Sequence, residues 1–190
     1  MASSLNDLKD PFFYRGVVAE ALGTLFLVFI GCGACIGKDW ANYTPTQVHI
    51  SLCFGLAVAT VVWCIGHVSG GHINPAVTVG MLVARKISLL RAVFFVMAQC
   101  MGALGGSAIL KVLTPVDVQG NLGMTTVDET LTVEQGFGVE LMITFLLVFT
   151  VFASCDSNRS DLNGSAPLAI GLSVALCHLF AVSILKFISL

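Results

Sequence analysis

The residues with chemistry to offer sit inside apolar runs. They are one Asn-Pro-Ala triplet, two acids and a few imidazoles. Asn74-Pro75-Ala76 closes the stretch Gly66-His67-Val68-Ser69-Gly70-Gly71-His72-Ile73. Asn is a favoured helix N-cap and Pro a favoured first helical residue, so a helix opens here. The adjacent glycines Gly70 and Gly71 end the preceding apolar run. Within the half-helix 74–85, the run from Ala76 to Arg85 is only about 15 Å long at 1.5 Å per residue, half of a hydrocarbon core of about 30 Å. It reads as a half-helix dipping into a membrane from one side. Such broken backbone persists at depth only where it is buried in protein or borders water. An Asn at its tip places amide donors at the positive end of a helix dipole, which suits a polar passage better than a reaction centre. A purely structural Asn-Pro turn is the competing reading.

Glu20 and Glu140 lie within other apolar runs. An intramembrane acid is costly and by default functional, and a proton relay is one such role. His178 falls in an apolar run too, whereas His49 and His67 read as interfacial or packed. Seven cysteines are scattered through the apolar segments. Cys32-Gly33-Ala34-Cys35 has redox spacing, but it ends a helix without a βαβ context, so the cysteines read as small buried hydrophobes. There is no Walker loop, dinucleotide motif or metal spacing. The sequence therefore predicts no enzyme, no cofactor and no metal.

The elements that must carry these residues are membrane spans. The 190 residues are 56% hydrophobic and 11% charged, with mean hydropathy +0.93, against about 25% charged in soluble domains. The net charge of −2 gives no reason to expect a nucleic-acid partner. Spans are predicted over about 16–36, 47–68, 92–113 and 136–155, with a fifth starting near Ala166 and extending toward the last residue. The domain reading is a frayed cytosolic tail over 1–14, a first repeat over 15–113, an extracellular loop over 114–135 and a second repeat over 136–190. Arg85, Lys86 and Arg91 mark the cytosolic face. That places the N-terminus inside and the sequon Asn42-Tyr43-Thr44 outside, where Asn42 could carry a glycan. The sequons at Asn158 and Asn163 would stay cytosolic.

The chain repeats itself. Glu20-x-x-x-Thr24-x-x-Leu27-Val28-Phe29 returns as Glu140-x-x-x-Thr144-x-x-Leu147-Val148-Phe149, and Phe54-Gly55-Leu56-Ala57-Val58-Ala59 returns as Ile170-Gly171-Leu172-Ser173-Val174-Ala175. Three spans separate the copies, so the second enters the membrane upside down. Inverted repeats build channels and transporters with a site near the midplane.

The loop through Asn74-Pro75-Ala76-Val77-Thr78 resembles the first Asn-Pro-Ala loop of the aquaporins, the major intrinsic protein family. Gly164 to Ala175 is similar to their fifth helix, and Ile50 to Leu56 and Phe152 to Ser157 resemble orthodox, water-selective members of the animal brain type. The resemblance runs from Arg15 to about Val182 and fails from Ser183, before any second Asn-Pro-Ala. It implies an all-α membrane protein with an aquaporin-like inverted repeat, five spanning helices plus one re-entrant half-helix, and an incomplete second half. By resemblance, Asn74, Pro75 and Ala76 form the pore motif, and Phe54 and His178 are two walls of the selectivity constriction. Glu20, His72, Gln99 and Glu140 support the pore loops, and Gly55 and Gly171 mark the crossing of spans two and five. Gly102-x-x-x-Gly106 is read as another close-packing site. The implied activity is passive conduction of water down an osmotic gradient by a homotetramer, or a hetero-oligomer with full-length aquaporins, in the lipid bilayer. A plasma-membrane location is expected, with retention in the endoplasmic reticulum if truncation destabilises the chain. The alternative is a truncated, non-conducting isoform that modulates full-length channels.

Overall fold

The computed structural model describes residues 7–37, 44–125, 128, 130–159 and 165–181. Among them are six α-helices: α1 Pro11–Gly33, α2 Gln47–Ser69, α3 Pro75–Val83, α4 Leu89–Leu113, α5 Val133–Ser154 and α6 Ala166–Ala181. A short 3₁₀ turn, Val116–Val118, follows α4. Four helices, α1, α2, α4 and α5, are long and apolar enough to cross a membrane. The nine-residue α3 is the half-length element. Helix α6 starts where the fifth span was expected and is described for 16 residues. Its expected continuation, and the sequon asparagines Asn42 and Asn163, lie outside the described residues.

Helices α2 and α6 start where expected, and α1, α4 and α5 start three to five residues earlier than apolarity alone suggests, because polar caps set them. Asp10 accepts the Phe12 N–H and Pro11 opens α1. Ser88 caps α4 through the Arg91 N–H. Thr132 and Gln135 close a reciprocal capping box on α5. The expectation of a frayed segment up to residue 14 is corrected over residues 7–14. Ser88 donates to Asp7, the Arg91 guanidinium pairs with Asp7 at 3.0 Å, and Arg91 also lies over the rings of Phe13 and Phe95 at 5.5 and 5.9 Å. Two oppositely charged groups and two rings thus fasten the start of α1 to the start of α4.

Helix α1 packs most extensively on α4, and α2 on α6. Both contacts are made by residues without a side chain. A Cβ on Gly102 or Gly106 would strike the carbonyl oxygens of Ala21 and Leu25 in α1. One on Gly55 would come within 2.6 Å of the Gly171 oxygen, and Gly171 faces the Gly55 oxygen in return. Small residues allow this backbone approach, and in lipid the gain is van der Waals contact. The outward faces carry Phe26, Trp63, Met97, Leu104 and Phe145, all exposed, as expected of surfaces that meet hydrocarbon. The core is an apolar cluster of Val58, Val61, Val62, Ile73, Val77, Val151, Ile170 and Val174, contributed by α2, α3, α5, α6 and the loop before α3.

Two outcomes follow. Gly171→Val forces α2 and α6 apart and costs about 1–3 kcal/mol in detergent melting. Gly138→Ala, which meets nothing within 4 Å, leaves the melting temperature nearly unchanged. The second concerns pH. Burial raises the Asp7 carboxyl, but the Ser88 and Arg91 hydrogen bonds and the Arg91 charge outweigh it and hold Asp7 below the usual carboxylate range. A lowered folded-state value contributes stability above the unfolded value, and that contribution is lost as pH falls through the folded one. Acid titration of melting should therefore show this loss in the wild type and a smaller one in Asp7→Asn.

Candidate functional site

The loop between α2 and α3 turns sharply. Gly70 and Gly71 adopt φ of +95° and +63°, and Ile73, a β-branched residue, sits at φ +43°. That conformation is strained for Ile73, at about 1–3 kcal/mol, and the surroundings must hold it. The Glu20 carboxylate does so. It is fully buried and accepts four hydrogen bonds: Ser69 Oγ at 2.6 Å and His72 N at 2.9 Å on Oε1, Ile73 N at 2.6 Å and Gln99 Nε2 at 2.8 Å on Oε2. An ionised carboxylate can take bonds at all of these lone pairs. Gln99, also buried, links the acid to Thr78 Oγ1 at 2.9 Å.

Thr78 connects the loop to the half-helix. Its hydroxyl donates to the Asn74 carbonyl at 3.1 Å and accepts from Gln99. It also lies 3.1 Å from His72 Nδ1, a contact in which the imidazole donates or accepts according to its tautomer. Sequence reasoning missed Ser69 and Thr78. Their polar side chains within four residues of the Gly-Gly break and the N-cap were the available signal.

Every backbone N–H from residue 70 to 73 is directed inward: Gly70 N to Gly66 O, Gly71 N to Ser69 Oγ, and His72 N and Ile73 N to Glu20. The same four residues border a cavity of about 220 Å³. Toward that cavity their backbone has only carbonyl oxygens left to offer. Asn74 borders it as well. Its Oδ1 accepts the Ala76 N–H at 2.8 Å as N-cap. The other branch of the amide, Nδ2, is a donor with no protein acceptor among the described residues. Pro75 and Ala76 form the first turn of α3. The remaining wall is apolar: Leu27, Val58, Val62, Val77, Leu147, Val151, Ile170 and Val174.

The cavity has two ends. At one, His72 and Gly70 also line a wider mouth of about 740 Å³ that includes Lys86, Cys155, Asp156 and Ser157, so His72 stands where the mouth meets the cavity. At the other, Phe54 from α2 and His178 from α6 stack with ring centroids 4.5 Å apart and planes 21° apart. Rings in van der Waals contact admit no water between them. His178 Nδ1 lies 3.0 Å from the Val174 carbonyl. Gly55 and Gly171 sit at the α2–α6 crossing described above.

Glu140 differs from its repeat partner. It is exposed on α5 and makes no hydrogen bond among the described residues, whereas burial was expected. Helix α5 is the least covered span, with only Gly136 and Val151 buried. The cysteines also depart from expectation. Cys177 is buried, Cys32, Cys35 and Cys53 are half-buried, and Cys64, Cys100 and Cys155 are exposed, all as free thiols. His49 is exposed on the first turn of α2 and His67 on its last.

Comparison with known proteins converges on one group. The sequence matches the family described as Major intrinsic protein over residues 7–185. It is 55% identical to Aquaporin-4 of Mus musculus over 175 residues, covering 90% of this chain and 54% of that one. It is 46% identical to Aquaporin-1 of Rattus norvegicus over 182 residues, covering 93% of this chain and 68% of that one. The chain thus spans about half the length of the aquaporin-4 relatives it matches. Its fold is similar to the X-ray structure of the aquaglyceroporin from Plasmodium falciparum, with a TM-score of 0.81 at 22% identity, over 92% of this chain and 75% of that one.

The grip of Glu20 yields a test. In Glu20→Gln the amide keeps one accepting oxygen and presents a donor at the other branch, so one of the two pairs of bonds loses its acceptor. At about 1–3 kcal/mol for each buried donor left unpaired, the variant should melt well below the wild type in detergent. Glu140→Gln, on an exposed acid, should melt close to it.

Proposed function

The chain belongs to the major intrinsic protein (aquaporin) family, and from this we propose that it forms a passive pore for water down an osmotic gradient. It does so as a multi-pass membrane protein that makes and breaks no covalent bond. One observation carries the reading: Asn74, whose amide Nδ2 has no protein acceptor among the described residues, stands at the positive end of α3 on a cavity bordered by residues 70–73, whose backbone N–H groups are all bonded within the protein. A water in this file gives its hydrogens to the carbonyls and turns its oxygen toward the Asn74 amide. The amide takes one of that oxygen's two lone pairs and orients the water against relaying a proton along the file, while the apolar wall holds the other water faces loosely. Selectivity from pore donors and electrostatic barriers needs no cofactor. In this reading Phe54 and His178 form the narrow point and must part to admit a water.

The cluster of Arg85, Lys86 and Arg91 supports a cytosolic placement of the Asp7 end and of the wide mouth, by the bias of basic residues toward that side. A plasma-membrane homotetramer, or mixed oligomers with longer aquaporins, are further parts of this proposal. A second reading is a non-conducting subunit that modulates such oligomers. The contact between the Phe54 and His178 rings favours it.

Stopped-flow light scattering on proteoliposomes separates the two. The conducting reading expects osmotic shrinkage faster than protein-free vesicles, and a loss of most of that excess in Asn74→Asp. That variant retains an oxygen for the Ala76 N–H but loses the donor and adds a negative charge. Shrinkage of wild-type vesicles at the protein-free rate favours the non-conducting subunit and overturns the pore.

A further inference from the structure

We propose that Gly31, on α1 and outside the cavity wall, is a positioning residue that sets the bore of the constriction by seating Phe54. This rests on the conduction reading above and adds a specificity determinant to it.

The Phe54 ring lies against the α1 backbone at Gly31. A Cβ there would fall 2.6 Å from Cδ1 and 2.7 Å from Cζ of the ring, and nearer still to Cε1. All three distances are far inside van der Waals contact. On the other side the ring is stacked on His178, whose imidazole sits 3.0 Å from the Val174 carbonyl. Phe54 is thus held between a backbone with no side chain and an imidazole on α6. Gly31 is buried in the interior of α1, where glycine is among the poorest helix formers. A methyl would favour the helix if there were room for it. The absence of that room identifies what the glycine provides: a shallow seat that draws the ring back toward α1.

Adding a methyl removes the seat. The ring cannot retreat straight from α1, because His178 occupies that direction. It must swing into the cavity or press on His178, and either makes the parting that admits a water more costly. Residue 31 therefore determines how far Phe54 projects, although its own atoms never touch the permeant.

The experiment compares wild type, Gly31→Ala, Phe54→Leu and the double variant in proteoliposomes, reading water permeability per protein and glycerol permeability on the same vesicles. Gly31→Ala should lower water permeability several-fold and leave glycerol excluded. Phe54→Leu should admit glycerol. In the Phe54→Leu background the Gly31→Ala change should have little effect, because the ring it displaces is gone. General damage to α1 would instead lower flux by the same factor in both backgrounds, and that result overturns the proposal. If Gly31→Ala fails to fold, rescue of folding by Phe54→Leu identifies the ring as the obstacle and supports the seat; failure of the double variant as well overturns it. Wild-type flux with Gly31→Ala unchanged removes this proposal alone. A wild type without flux removes the conduction reading and this proposal with it.

Discussion

The buried carboxylate of Glu20 is the contact on which the rest depends. A chain that breaks its helix within a membrane exposes amide donors where no water of the bulk can reach them, and each unpaired donor is costly. Glu20 takes two of these, from the buried His72 and Ile73, and is itself stabilised by Ser69 and Gln99. The charge is thereby fully hydrogen-bonded inside the bundle. The consequence for function is one of polarity. With donors turned toward Glu20, the loop backbone that meets the cavity has acceptors alone, until the amide of Asn74 supplies a donor.

The helices around this centre are arranged to bring it into register. Close crossings at Gly102 and Gly106 draw α1 onto α4, which places Gln99 beside Glu20. The Gly55–Gly171 crossing draws α2 onto α6, which brings Phe54 to His178. The Asp7–Ser88–Arg91 tie fixes the start of α4, and Arg91 lies over Phe95, whose ring meets His72 edge-on at a centroid distance of 5.4 Å. One apolar cluster then walls the cavity. A polar stripe on one side and hydrocarbon on the others is the division that a file of water needs.

Much of this was legible in the residues. Tandem glycines followed by Asn-Pro specify a break and a cap whatever surrounds them, and the repeated Glu-x-x-x-Thr pattern marked Glu20. Span existence followed from composition. What escaped was set by tertiary contact. Three span starts moved outward because Asp10, Ser88 and Thr132 cap helices whose first two turns carry a charge, Arg15, Arg91 or Glu134, among apolar residues. The end of the chain preceding α1 was expected to fray, but Asp7 finds Arg91 some eighty positions away in sequence, beyond the reach of local pattern. Glu20 and Glu140 share a motif yet not an environment, since only α1 is covered at that level. Gly31 looked like one glycine among many until a ring was found lying on it.

The most direct measurement is amide hydrogen exchange at His72 and Ile73 in lipid nanodiscs, resolved by residue. Both lie at the edge of a cavity offered to water, yet both are bonded to a buried carboxylate. If Glu20 holds the loop as described, the two amides exchange as slowly as those in the middle of α2. Exchange at the rate of an open loop, with the helices still protected, would contradict the account.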